Sequence, residues 1–150
     1  MKILITGSSG QLGKSLNLSK PENLTILNPS KDNFDLTNNS QISNYIFKND
    51  PDWVINCGAY TNVENAEFEK ELAFQINSTA LKTISETLLK TKGKLIQIST
   101  DFVFNGESSI SYKTNDETSP LNVYGLSKLK AEEYIRAIIK KPNRAIILRT

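Results

Sequence analysis

Three glycines spaced three apart stand directly after a short apolar run: Ile3-Leu4-Ile5, then Gly7, Gly10 and Gly13. An unbroken apolar run predicts a strand covered on both faces, as central parallel strands are. Gly7 can then turn tightly. Gly10 carries no Cβ to obstruct a group approaching the helix that the pattern predicts over Gln11–Leu18. Gly13 lets that helix lie close to the sheet. Free N–H groups and the helix dipole at this point suit a pyrophosphate. The spacing alone would equally mark ordinary turns, but a strand before it and a helix after it favour dinucleotide binding. The spacing of a P-loop is missing.

The rest of the chain repeats strand and helix. Strands are predicted at Leu24–Leu27, at Trp53–Ile55 closing on Asn56-Cys57-Gly58, at Leu95–Ile98 and at Ala145–Leu148, with a short one at Phe34–Leu36. Residues 37–39 offer caps to a helix that buries Ile42, Tyr45 and Ile46. A long helix is expected from about Glu67 to Lys90, with Leu72, Ile76, Leu81, Ile84 and Leu88 as its buried stripe. Residues 105–119 read as a polar loop near a site. A last helix carries Tyr124, Leu129 and Tyr134 and stops near Pro142. The expected fold is α/β, a Rossmann-type doubly wound parallel sheet with helices on both faces.

Composition removes several functions. The chain has 150 residues, 38% hydrophobic and 23% charged, enough for one domain with a core. Its 18 basic and 16 acidic residues leave a net charge of +2 with no basic stripe, so no nucleic-acid partner is expected. Histidine is absent, which removes His–Asp relays and most zinc sites, and no metal site is expected. Cys57 is the single cysteine, in an apolar strand context, and reads as a buried thiol. The apolar start is too short for a signal core, no run would span a membrane, and the cytoplasm is the default location.

Any acid–base group at neutral pH must then be a perturbed Tyr, Lys, Cys, Asp or Glu. Tyr124 and Lys128, four apart, share one helix face. A phenol can donate a proton to a carbonyl oxygen, and a neighbouring ammonium would favour its phenolate and lower its pKa. The amine also has donors for cofactor ribose hydroxyls. Thr100 stands at the carboxyl end of a predicted strand, where such sheets place functional groups. Asn77, inside a predicted helix, either bonds backbone, supports Lys128 or is solvated. At the second strand, Leu27-Asn28-Pro29 lacks the acidic residue that takes adenosine ribose hydroxyls. Lys31 could meet a 2′-phosphate, and Asp35 could reach the adenine side or cap the turn before Thr37. The balance leans to NADPH, with NADH also accepted.

These stretches together resemble the dTDP-4-dehydrorhamnose reductase family of the extended short-chain dehydrogenase/reductase superfamily. The likeness is carried by GSSGQLG at 7–13, FDLTN at 34–38, NCGAYTNVENAE at 56–67, STDFVFNG at 99–106, and Glu117, Pro120 and Asn122 leading into YGLSK at 124–128, with Glu132 after it. The resemblance implies reduction of the 4-keto group of dTDP-4-dehydro-6-deoxy-L-mannose, giving dTDP-L-rhamnose for surface polysaccharide. It implies Tyr124 as proton donor, Lys128 as its partner and ribose anchor, and Thr100 as third catalytic residue. Gly7, Gly10, Gln11, Leu12 and Gly13 would hold the pyrophosphate, and Asp35 and Leu36 would lie near the adenine. Cys57, Gly58, Ala59 and Tyr60 would follow the cofactor toward its nicotinamide ribose. Asp101, Phe102 and Tyr124 would meet the sugar-nucleotide substrate.

Departures from the family pattern matter too. Phe102 stands where the family usually has tyrosine, and Gly58 where alanine is usual. Some members dimerise around magnesium through an acidic residue in the first helix, where this chain has Ser15, so no such site is expected. Family members are nearly twice this long. Residues 1–150 therefore read as a truncated NAD(P)-binding domain with the substrate-binding domain mostly absent, inactive or weak alone, with self-association as a homo-oligomer left open. Two alternatives stay open. One is a sugar-nucleotide epimerase or 4,6-dehydratase of the same superfamily, although Phe102 after Asp101 breaks the Asp-Glu pair a dehydratase wants. The other is a non-catalytic regulatory or binding subunit.

Overall fold

The computed structural model describes residues 1–150 as one five-stranded parallel sheet in the order β2-β1-β3-β4-β5. The strands are β1 (Lys2–Thr6), β2 (Thr25–Leu27), β3 (Trp53–Asn56), β4 (Lys94–Ser99) and β5 (Ala145–Arg149). The helices are α1 (Gln11–Leu18), α2 (Asn39–Asn49), α3 (Val63–Ala66), α4 (Lys70–Phe74), α5 (Ala80–Leu89) and α6 (Val123–Ile138). A π-helical turn at Gln75–Thr79 joins α4 to α5, and a 3-10 turn at Asp101–Val103 follows β4. No helix is long and apolar enough to cross a membrane.

Right-handed crossovers decide the layers. The chain steps from β1 to β2 in one direction, and from β2 through β3 and β4 to β5 in the other. Hence α1 lies on one face of the sheet, and α2, α5 and α6 lie on the other. On the three-helix face, Leu4, Val54 and Leu95 stand level across β1, β3 and β4 and are fully buried. They form one core with Ile42 and Ile46 of α2, Leu81, Ile84 and Leu88 of α5, and Ala131 and Ile135 of α6. On the α1 face, Ile146 and Leu148 of β5 are 44% and 46% exposed.

Polar residues end the strands on the core side. The Thr6 hydroxyl donates to Asn56 Oδ1 at 2.5 Å, and Asn56 Nδ2 donates to Gln97 Oε1 at 3.0 Å. Gln97 Nε2 donates onward to the Ile98 carbonyl at 2.6 Å. Every member is buried and bonded, so the row stiffens the strand ends that carry the site.

Two predicted elements differ. Phe34–Leu36 is no strand: the Asp35 carboxylate accepts from the Thr37 N–H and the Thr37 hydroxyl, both at 2.8 Å, and closes a turn. Phe34 is instead packed edge-on to Tyr45, 5.4 Å between centroids. The long helix of residues 67–90 starts at Lys70 and is interrupted by the π turn; of the expected stripe Leu72 is exposed and Ile76 half-buried, while Leu81, Ile84 and Leu88 are buried. Of the caps expected at 37–39, Asn38 is the one used, its side chain accepting from Gln41 N–H at 3.0 Å.

Candidate functional site

The three loop glycines occupy three different constraints. Gly7 has φ +61°, and a Cβ there would stand 2.6 Å from Gly58 Cα and N, so the turn lies directly against the end of β3. A Cβ on Gly13 would meet the Gly7 carbonyl oxygen at 2.5 Å and Ser8 Cα at 2.6 Å. Gly10 is different: only the Gly7 oxygen, at 3.3 Å, lies near its Cβ position, and the residue is exposed. Gly10 is also the N-cap of α1 and offers no side-chain cap. The first N–H groups of α1, at Gln11 and Leu12, are left to an outside acceptor.

Two grooves flank this loop at the carboxyl ends of the strands, at the switch point where β2 and β3 leave β1 on opposite sides. One, about 300 Å³, is lined by Gly7, Ser30, Lys31, Asp35, Leu36 and Gly58 among others. The second, about 480 Å³, is lined by Gln11, Leu12, Cys57, Ile98, Tyr124 and Lys128 among others. Ala59 lines both. The donor set fits a dinucleotide: orphan helix N–H groups at the centre, a glycine without a blocking Cβ, a lysine at either end. Tyr60 lies outside both grooves, its backbone N–H and carbonyl bonded to Asn77 and its hydroxyl to Glu69.

Lys128 is 4% exposed, and its Nζ donates to the Ile98 carbonyl at 2.6 Å. Burial pushes its pKa down to about 8, opposed chiefly by the charge of Glu132. Tyr124 is half-buried. Burial raises its pKa first of all, the Thr100 hydroxyl lowers it, and the Asp101 charge raises it again. The sequence expectation of a phenol lowered by Lys128 is therefore corrected: the ammonium is held by a backbone carbonyl, and the phenol answers to burial and Thr100. Cys57 is half-buried rather than fully buried, and burial lifts its thiol to about 11.

Thr100 is buried and caps the 3-10 turn, its Oγ1 accepting from Phe102 N–H at 3.2 Å and donating to Asp101 Oδ1 at 3.2 Å. Asp101 and Phe102 line a further cavity of about 270 Å³ with Tyr112, Leu121 and Asn122. The Phe102 ring meets Tyr124 edge-on at 5.6 Å. Asp101 and Phe102 thus border the phenol of Tyr124 without lining either groove.

Several contributors were not read as site residues from the sequence. The π turn directs Asn77 inward, where Nδ2 donates to the Tyr60 carbonyl at 3.0 Å and to Ser127 Oγ at 2.9 Å, tying the loop after β3 to α6. Of the readings open for Asn77, backbone bonding is the one observed. A Cβ on Gly125 would fall on the Phe102 carbonyl oxygen, so this glycine lets α6 approach the turn after Thr100. Asn122 caps α6, accepting from Gly125 N–H at 2.7 Å. Its spacing before the Tyr-Gly pair was the available signal.

A strand–glycine turn–helix with a Tyr–Lys helix at the other end of one trough defines the short-chain dehydrogenase/reductase class. The family model described as RmlD substrate binding domain matches residues 1–150. The chain is 35% identical to the dTDP-4-dehydrorhamnose reductase of Aggregatibacter actinomycetemcomitans over 99% of its own length and 50% of the relative's. It is 36% identical to that of Salmonella typhimurium over 91% of its length and 47% of the relative's. A solved dTDP-4-dehydrorhamnose reductase from Clostridium acetobutylicum superposes with a TM-score of 0.93 at 34% identity, covering 99% of this chain and 52% of that one. The Bacillus anthracis reductase, solved with NADP, gives 0.92 at 35% identity, again with 99% and 52% coverage. The chain belongs to the RmlD family, the dTDP-4-dehydrorhamnose reductase branch of the extended superfamily, and spans about half the length of these relatives.

Proposed function

We propose that this chain supplies the cofactor-binding and proton-handling half of an NAD(P)H-dependent reductase that converts dTDP-4-dehydro-6-deoxy-L-mannose to dTDP-L-rhamnose. The observation that carries the reading is one trough in which the free N–H groups of α1, Tyr124 and Lys128 face the same space. The turn from Gly7 to Gly10 and the first turn of α1 hold the pyrophosphate, and Gly13 lets α1 lie close against that turn. Ser30, Lys31, Asp35 and Leu36 receive the adenosine end. Cys57, Gly58 and Ala59 line the path toward Lys128, whose remaining N–H donors take ribose hydroxyls, while Tyr60 stands outside the grooves and fixes this segment through Asn77. The NADP-bound relative supports this assignment.

A dinucleotide held by these residues would supply the hydride that the keto carbon takes up. Tyr124 gives its phenolic proton to the keto oxygen, and Thr100 orients that phenol. Lys128, its Nζ held by the Ile98 carbonyl, serves this step by anchoring the cofactor ribose. Asp101 and Phe102 border the sugar. NADPH is favoured over NADH, because Lys31 faces the groove while the Asp35 carboxylate is occupied by Thr37. The residues placed here account for the cofactor and the proton and for little of the nucleotide or sugar, and residues 1–150 by themselves are expected to reduce weakly or not at all.

The test is NADPH titration by fluorescence on the purified chain, followed by NADPH consumption with the keto sugar nucleotide. Binding with little turnover is expected. Tyr124→Phe should bind NADPH unchanged and lose whatever turnover exists. No dinucleotide binding at all would sink the reading; turnover of about 1 per second or faster would refute the incomplete site. Stable binding of NADPH without net oxidation by any 4-keto sugar nucleotide would favour an epimerase.

A further inference from the structure

We infer that Glu132 is a positioning residue that latches the carboxyl ends of β4 and β5 onto α6, and thereby sets where Lys128 and Thr100 stand relative to each other. This rests on the reading of Lys128 as the amine of the site.

Glu132 is fully buried, yet it has four hydrogen bonds to its carboxylate. The Ser99 hydroxyl donates to Oε1 at 2.6 Å. Arg149 grips both oxygens, Nε to Oε1 at 3.0 Å and an Nη to Oε2 at 2.6 Å. Arg136, one turn further along α6, adds a contact at 3.2 Å. A buried carboxylate resists ionisation, but the bonds from Arg149 and Ser99 and the charges of Arg149 and Arg136 outweigh burial and hold its pKa below the ordinary value. Such a satisfied pair adds little net stability over an apolar one but defines geometry well.

The partners explain what geometry is defined. Ser99 precedes Thr100 directly. Ile98, which precedes Ser99, takes the Lys128 ammonium. Arg149 ends β5, whose Leu148 and Arg149 lie level with Ile98 and Ser99. Lys128 and Glu132 are one helical turn apart, so two successive turns of α6 are fastened to two successive residues of β4. Loosening the second fastening lets α6 slide relative to Thr100. The other titratable groups beside Lys128 are Cys57 after β3 and Tyr124 on α6, with Asp101 after β4 acting on Tyr124. The thiol, at about 11, stays neutral through the range of interest. Arg136 and Arg149 are committed to Glu132.

The test reads Lys128 itself, without any dinucleotide. NMR titration of the Lys128 side-chain carbon should give a midpoint near 8 in the unaltered chain. Glu132→Gln keeps the shape and removes the charge, and the midpoint should fall by roughly one pH unit. Glu132→Asp keeps the charge on a shorter arm and should stay near the unaltered value. NADPH affinity at pH 7.5 should weaken several-fold in the Gln variant and less in the Asp variant. A folded Gln variant with an unmoved midpoint overturns the inference. Should Glu132→Gln leave Arg149 unpaired and fail to fold, E132Q/R149M removes that stranded charge and is read by the same criterion. A shifted midpoint in a protein that binds no NADPH would refute the cofactor reading while leaving the latch standing.

Discussion

Alanine at Gly10 and alanine at Gly13 should separate cofactor binding from folding within a single loop. At Gly13 the new methyl would sit 2.5 to 2.9 Å from three backbone atoms of Gly7 and Ser8, none of which can rotate away. Overpacking of this kind costs about 1–3 kcal/mol. For a domain of this size 2 kcal/mol lowers Tm by roughly 4–8 °C. At Gly10 the only neighbour is the Gly7 oxygen at 3.3 Å, which needs to give by a few tenths of an ångström. The φ of −74° suits alanine. Alanine is a poorer N-cap than glycine, but it stiffens the unfolded chain by about 0.4–1 kcal/mol. The two effects nearly cancel, and Tm should change by less than about 2 °C.

Under the proposed reading, the same Gly10 methyl would project where a pyrophosphate approaches the α1 N–H groups. Losing one charge-assisted hydrogen bond there costs about 1.5–3 kcal/mol, or roughly 10- to 150-fold in Kd. Thermal melts and NADPH titrations on both variants are sufficient. If Gly10→Ala melted as low as Gly13→Ala while binding NADPH normally, the division of labour argued for this loop would be wrong.

Further outcomes follow from the same geometry. Lys128 is charged in both folded and unfolded chains below pH 8, and burial makes the folded charge costly; the difference between about 8 and 10.5 corresponds to about 3 kcal/mol. Lys128→Met should therefore raise Tm at pH 7, with the advantage shrinking between pH 8 and 10.5 as the folded lysine gives up its proton; a lower Tm at pH 7 would contradict this. Gly125→Ala drives a methyl into the Phe102 carbonyl and should displace the turn after Thr100, costing about 1–3 kcal/mol in urea unfolding; an unchanged midpoint would show the approach is slack. With its thiol at about 11 against an ordinary 9.0, Cys57 should carry roughly 100-fold less thiolate than a free cysteine, so iodoacetamide labelling at pH 8 should be slow, and rapid labelling would refute its burial.

How much of this was legible in the sequence follows from the range of each constraint. Gly7, Gly10 and Gly13 answer to atoms within six residues or to the one strand beside them, so their spacing reports a local backbone shape wherever it occurs. The apolar stripe of Leu81, Ile84 and Leu88 is likewise local, since helical periodicity alone turns those three inward. Phe34–Leu36 misleads because apolar–polar–apolar matches a strand period, whereas a side chain, Asp35, captures the backbone first. Tyr124 and Lys128 could be put on one face from their spacing, but the direction of the ammonium is decided by the Ile98 carbonyl, 30 residues away in sequence. Glu132 is harder still. Its neighbour on the helix, Arg136, is visible from spacing, but Ser99 and Arg149 reach it only once β4 and β5 pair in their observed register. A residue whose partners come from three elements has no sequence period to announce it. The parts of the site that bind can therefore be read from motifs, while the parts that hold the motifs in register require the sheet to be assembled first.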